Sequence, residues 1–191
     1  PVNTCMSTRP GMTSLSSQLT TAASRGAQVA NYVSCTDFII EETSAGKRVS
    51  GVIAQDTVSG KEFPIRAKVT VNATGPWGDL VLGKLHKNPI RKLMRSKGIH
   101  LLFPRFHKNT TIGIETRDKH HIFLIPWGNY SLLGTTDTEF TGDPDDLTVT
   151  RDDAEAFLNQ FNEYFPQHKT MTDVVNTYAG LRPLVAESSV T

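Results

Sequence analysis

Between Phe63 and Val71 the chain alternates strictly, with Phe63, Ile65, Ala67, Val69 and Val71 sharing one face of a predicted strand. Asn72-Ala73-Thr74-Gly75-Pro76-Trp77 follows, small residues and then glycine and proline, which brings bare backbone close to whatever lies beyond it. Peptide N–H groups at such a turn can face a pyrophosphate. Earlier, Leu15, Leu19, Ala22 and Ala23 recur at helical spacing, and Gly26 stands where that helix would end. Alternating or apolar runs at 28–34, 36–42, 48–55 and 62–71 predict strands joined by turns at Ser44-Ala45-Gly46-Lys47 and Ser59-Gly60-Lys61. Helix, strand and a β-meander returning to Ala73 suit a piece of a nucleotide-binding domain. Residues 1–13 carry no periodic pattern and read as a tail or edge segment.

The second half predicts strands at 100–103, 111–115, 121–126, 130–135 and 173–179. One helix falls between the last two. Thr150 can cap it, Asp152 and Asp153 occupy the first turn where the helix dipole favours anions, and Pro166 helps to end it. Its stripe of Ala154, Phe157, Leu158, Phe161 and Phe165 reads as core and not as a cofactor box. Trp77 and Trp127 are likewise expected to pack in the core, with lining of the cleft as the competing reading.

At 191 residues the chain suits one domain or one and a half. Hydrophobic content of 38% and charged content of 20% describe a folded globular protein, and a net charge of +1 argues against nucleic acid as a partner. Cys5 and Cys35 form no CxxC pair and read as free thiols in a reducing compartment. No apolar run approaches the ~20 residues of a membrane-spanning helix, and no signal-peptide pattern is present. The chain opens on Pro1, which fits a processed or excised piece.

Charge is unevenly placed. No acidic residue occurs between Asp79 and Glu115, where Lys84, Lys87, Arg91, Lys92, Arg95, Lys97, Arg105 and Lys108 all fall. Lys84 to Lys92 reads as a solvated loop, whereas the segment ending in Lys97 and His100 would attract a phosphate ester or an acidic lipid surface. The acid-rich stretch Asp137 to Glu155 lacks the spacing of a calcium loop and reads as an exposed turn plus a helix start, with Asp137 a turn-former.

His100, at the start of the apolar run Leu101-Leu102-Phe103, is the candidate base, its ring at a rim between core and cleft. Arg182, between Leu181 and Pro183, is expected at a strand end, pointing into a pocket where its fork can hold an anion. An interior ion pair is the competing reading for that arginine. Thr135 and Thr136, after Gly134, place at least one hydroxyl within reach of the same ligand. The other histidines have no metal-ligand spacing, and no HExxH, GxSxG or Walker A pattern occurs.

These segments, taken in order with Ile125-Pro126-Trp127, Gly142-Asp143-Pro144 and Gly180-Leu181-Arg182-Pro183-Leu184, resemble the FAD-dependent glycerol-3-phosphate dehydrogenases from about Ala22 to Leu184. The resemblance implies a fold of the α/β to α+β class. Residues 1–80 would be the later part of an FAD-binding domain of the amino-acid-oxidase superfamily, with its β-meander. Residues 81–191 would be a mixed-sheet substrate-binding domain. It implies oxidation of glycerol 3-phosphate to dihydroxyacetone phosphate, with electrons passing to quinone or oxygen. His100 would be catalytic, Arg182, Thr135, Thr136 and Lys97 substrate-binding, and Ala73, Thr74, Gly75, Trp77 and Val33 cofactor-binding. A cytoplasmic setting follows, with peripheral association at the inner membrane also allowed.

One absence qualifies this. No two of the fourteen glycines stand two positions apart, so GxGxxG does not occur. The chain alone is therefore expected to carry no FAD and to be inactive. Two alternatives stay open: another FAD-dependent oxidoreductase of the same superfamily, and a non-enzymatic phosphate-ester-binding module built on Lys97–His100 and Arg182.

Overall fold

The structure, a computed structural model, describes residues 13–86 and 93–185. The expected N-terminal tail, Cys5, and Lys87, Arg91 and Lys92 of the basic loop lie outside the described residues. Those that are described divide into two compact units, one of residues 13–72 with 82–86 and one of residues 73–81 with 93–185. The expected boundary at 80 and 81 falls inside a helix.

In the first unit, α1 (Thr13–Ser24) ends where glycine allows it. Gly26 adopts φ +90°, and the Ala27 N–H donates to the Ala22 carbonyl at 3.0 Å, closing the last turn. Strands β1 (Val33–Thr43), β2 (Gly46–Asp56) and β3 (Glu62–Arg66) form an antiparallel meander in that order. The run at 28–34 is not a separate strand, since only its last two residues enter β1. β3 also stops earlier than the alternation suggests. Val69 and Val71 lie beyond its pairing with β2 and are exposed, because alternation makes a strand only where a partner edge is available. Cys35 is a free, half-buried thiol whose pKa burial pushes up, so it is not an activated nucleophile.

The second unit begins with a 3₁₀ turn at Gly75–Trp77 and the start of α2 (Gly78–His86). Its sheet is organised by β4 (Leu93–Pro104), far longer than the four residues its apolar run predicts. β5 (Ile112–Glu115), β6 (His121–Trp127) and β7 (Tyr130–Gly134) follow as hairpins, and β7 pairs with His100–Pro104. The short β8 (Thr138–Glu139) pairs with Ser96 and Lys97, and β9 (Asn176–Val185) with Leu93–Leu102. Every pairing is antiparallel, so the expected mixed sheet is antiparallel throughout the described residues. The short hairpins joining β5, β6 and β7 permit nothing else for those pairs. The α/β to α+β class itself stands, in agreement with the fold neighbours described below.

One face of this sheet is covered by α3 (Arg151–Tyr164). Thr150 caps it as expected: its hydroxyl accepts from the Asp153 N–H at 3.1 Å while the Asp153 carboxylate accepts the Thr150 N–H at 2.8 Å. Ile99, Leu101 and Phe103 of β4 meet Ala154, Phe157, Leu158 and Phe161 of α3 in one buried cluster. Phe165 closes it, stacked on Phe161 at 4.4 Å. Burying a side chain of this size contributes about 1.5–3 kcal/mol, so this face holds the unit together. Neither tryptophan belongs to that core. Trp77 and Trp127 are both exposed, and Trp77 donates from Nε1 to Asp145 at 3.1 Å.

Lys97 lies on the same helix-covered face, 8% exposed, with its ammonium 2.6 Å from the Asp153 carboxylate. Burial raises the Asp153 pKa, but the bonds from Lys97 and Thr150 and the Lys97 charge outweigh that and hold it below the usual carboxylate range. The pair ties the middle of β4 to the first turn of α3. Removing one partner of a buried pair strands the other charge, a loss of about 3–5 kcal/mol. Asp153→Ala should therefore destabilise this chain in urea unfolding by about that much. Lys97→Met, which leaves a partly hydrated carboxylate, should cost clearly less, and equal losses would show that the ammonium is not truly buried.

Candidate active site

The opposite face of the sheet carries the candidate residues His100 and Arg182. Two-residue periodicity along β4 puts Ser96, Gly98 and His100 there, and the register with β9 sets Arg182 opposite Ser96, Gly180 opposite Gly98 and Tyr178 opposite His100. On the other side His100 pairs with Gly134 of β7, which pairs with Phe123 of β6. Phe123, Gly134, His100 and Tyr178 thus form one row across four strands. His100 is mid-strand and not at a strand start, because β4 begins seven residues earlier than the apolar run.

Arg182 is also mid-strand. β9 continues through Pro183, which an edge strand tolerates because it pairs on one side only. The guanidinium is seated by three polar groups. Nη1 donates to the Ser96 hydroxyl at 3.1 Å and to the Thr136 carbonyl at 3.2 Å, and Nη2 donates to the Thr135 hydroxyl at 3.0 Å. No carboxylate oxygen among the described residues lies within ion-pair distance of it, so the interior ion pair is not what the arginine forms. Of its five N–H donors, Nε–H and one on Nη2 have no partner among the described residues. Donors of this kind are what a carboxylate or phosphate accepts.

Glycine makes this seat possible. A Cβ on Gly98 would stand 2.5 Å from the Thr135 hydroxyl oxygen and 2.6 Å from Arg182 Nη2. A Cβ on Gly134 would strike the His100 ring at Cδ2 and Nε2. The arginine and the imidazole therefore each lie against a bare backbone position.

His100 is half-buried, and its Nδ1 is fully enclosed with no hydrogen-bond partner among the described residues. That leaves Nε2 as the nitrogen a ligand can reach. Burial, and secondarily the Arg182 charge, lower the imidazole pKa from 6.5. At neutral pH the ring is uncharged, the form that accepts a proton.

The two threonines separate. Thr135 touches the guanidinium, whereas the Thr136 hydroxyl accepts the Ile99 N–H at 3.0 Å and so replaces a ladder bond between β7 and β8. Lys97 points away to Asp153, so the sheet's period of two removes it from the anion site. Asp137 is more than a turn-former, since it accepts the hydroxyl of Ser96, which in turn accepts Arg182. Ala73, Thr74, Gly75 and Trp77 belong to the same unit as His100 and Arg182, and Arg95 Nε holds their turn to β4 through the Pro76 carbonyl at 2.7 Å. Val33 begins β1 in the first unit. Ser96 and Tyr178 escaped sequence reading, although both stand at even spacing from His100 or Arg182 along strands whose full length was not apparent. A cleft of about 540 Å³ is lined in part by Thr135, Thr136, Asp137, Asp153 and Tyr164, so it shares both threonines with the arginine's seat. It takes in neither His100 nor Arg182.

Residues 14–190 match the FAD dependent oxidoreductase (DAO) family, and the chain belongs to it. Among its relatives, the alpha-glycerophosphate oxidase of Streptococcus pyogenes serotype M18 is 35% identical over 170 residues, covering 86% of this chain and 27% of that protein. The aerobic glycerol-3-phosphate dehydrogenase of Bacillus subtilis is 34% identical over 165 residues, covering 85% of this chain and 29% of that protein. The chain thus spans less than a third of either relative. The structure of glycerol-3-phosphate dehydrogenase from Bacillus halodurans, complexed with FAD, superposes with a TM-score of 0.74 at 34% identity, over 87% of this chain and 34% of that one. No helix among the described residues is long and apolar enough to cross a membrane.

The lowered His100 pKa makes stability depend on pH. Its contribution is present above pH 6.5 and is lost as pH falls below 6.5 toward the folded value, because the unfolded chain takes up a proton first. His107, whose pKa burial also lowers, acts in the same direction. Urea midpoints should therefore fall as pH is lowered through 6.5, and His100→Gln should flatten part of that slope. An unchanged slope would mean that the ring is as hydrated in the fold as in the unfolded chain.

Proposed function

We propose that this chain is the substrate-facing part of an FAD-dependent enzyme that oxidises glycerol 3-phosphate to dihydroxyacetone phosphate, passing the electrons to quinone or oxygen. The second unit would be its substrate domain and the first a part of its FAD domain. The observation that carries the reading is the Arg182 guanidinium, held by Ser96, Thr135 and Thr136 with two donors left for a ligand. The likeness to the glycerophosphate oxidase and dehydrogenases supports the same substrate.

The chain's residues fit a flavin in part. Gly75 has φ +57°, and nothing stands within 4 Å of where a Cβ on it would project, so the backbone at Ala73–Gly75 is bare enough for close approach. Ala73, Thr74, Gly75, Trp77 and Val33 would hold FAD, and the pyrophosphate turn would be supplied outside this chain. FAD, held there, would supply the acceptor for the hydride leaving the secondary carbon of the substrate. Arg182 binds the phosphate and Thr135 keeps the fork in plane. His100 takes the hydroxyl proton at Nε2, so that loss of proton and hydride together leaves the ketone. The non-enzymatic phosphate-ester module would use the same arginine but would not require the imidazole.

The whole flavoenzyme decides between them. His100→Asn should lower turnover by about 10²-fold or more with flavin content little changed. Arg182→Lys replaces a fork with a point charge, and losing such a contact typically costs about 2–5 kcal/mol. Binding of glycerol 3-phosphate should weaken at least about tenfold, whereas weak binding of uncharged glycerol should hardly change. Normal phosphate-ester affinity in that variant would sink the assignment. This chain alone should retain no flavin on gel filtration, and stoichiometric FAD would show that its own contacts suffice.

A further inference from the structure

A catalytic imidazole is ordinarily oriented by a hydrogen bond at its second nitrogen. His100 has none. Its Nδ1 is enclosed without a partner among the described residues, and no carboxylate or carbonyl fixes the ring. What defines its plane is shape. Tyr178 faces it across the β4–β9 pair with ring centroids 4.6 Å apart and planes 10° from parallel. Gly134 admits the Cδ2–Nε2 edge, where any side chain would collide with it. The ring is held between a flat aromatic surface and bare backbone.

We infer that Tyr178 is a positioning residue for His100, its ring taking the place of the missing orienting hydrogen bond and keeping water from the enclosed nitrogen. This rests on the reading of His100 as the proton acceptor. The phenol ring is the working part, because a stack needs a flat face and gains about 0.5–1.5 kcal/mol beyond burial. Tyr178 is itself 40% exposed. The titratable or charged groups facing the imidazole are Arg182 and Tyr178, both from β9, while β7 offers Gly134 and the uncharged Thr135 beyond it. Burial is the larger of the two influences on His100, so uncovering the ring should outweigh the Arg182 charge that remains.

Two measurements test this. In this chain, labelled with ¹⁵N-histidine, NMR titration reads the His100 pKa directly, its signals assigned by their loss in His100→Asn. In the whole flavoenzyme, the pH profile of kcat/KM reads the same group in action. Tyr178→Phe should leave both unchanged. Tyr178→Ala should raise the His100 pKa toward 6.5 and move the acid limb of the profile with it. It should also lower kcat about tenfold while KM for glycerol 3-phosphate changes little. Tyr178→Leu, which keeps the imidazole covered but offers no flat ring, should lower kcat as Ala does with a smaller pKa shift, and guards against simple misfolding. The inference is overturned if Phe is as damaging as Ala, if Ala leaves the pKa and the profile in place, or if Leu keeps full turnover. Failure of the underlying reading looks different. Turnover that survives His100→Asn, with the NMR shift in Tyr178→Ala still present, would remove the catalytic role while leaving the stack intact.

Discussion

Strand β4 has to satisfy two incompatible environments at once, and the rest of the second unit follows from how it does so. Lys97, Ile99, Leu101 and Phe103 face α3, and Ser96, Gly98 and His100 face the other way. Lys97 brings a charge to the core side, and Asp153 at the helix start neutralises it. The pair locks strand to helix, so the register that buries Ile99 and Leu101 also aims Gly98 and His100 outward. A slip of one residue would bury the imidazole and expose the ammonium.

On the outward face, space is as important as charge. The guanidinium lies over Gly98 and the imidazole against Gly134, positions where a methyl group would collide with the functional atoms. Arg182 spends three donors on Ser96, Thr135 and Thr136, which fixes its plane and leaves two donors without a partner among the described residues. His100 is held differently, by a stacked ring and not by hydrogen bonds. In the proposed function one group binds a fixed charge and the other changes its protonation, and their surroundings differ accordingly. A neighbouring guanidinium and burial both favour the neutral imidazole at the pH where it would accept a proton.

Much of this was legible from residues alone because it rests on local rules. The Thr150 cap, the stripe from Ala154 to Phe165, the Gly26 helix stop and the hairpins around 112–134 all follow from contacts within a few residues. Strand lengths were less accessible. β4 begins at Leu93, in a stretch that is basic and without an apolar run, because its outward face is polar and its partner strands supply the pairing. β3 erred in the other direction, its apparent alternation outlasting its partner edge.

The sequence by itself determined the candidate chemistry: an arginine flanked by glycine and proline two residues to either side or nearer, a histidine after Gly98, and a threonine pair after Gly134. Only the tertiary structure decided which of those groups act together. Arg182 meets Thr135 and Ser96 across 47 and 86 residues of chain. Lys97, adjacent to Gly98, is lost to the opposite face, and Tyr178, unremarked in the sequence, becomes the surface on which His100 rests. The physical reason is that side-chain identity is local, whereas the face a strand residue occupies depends on register with partners far along the chain.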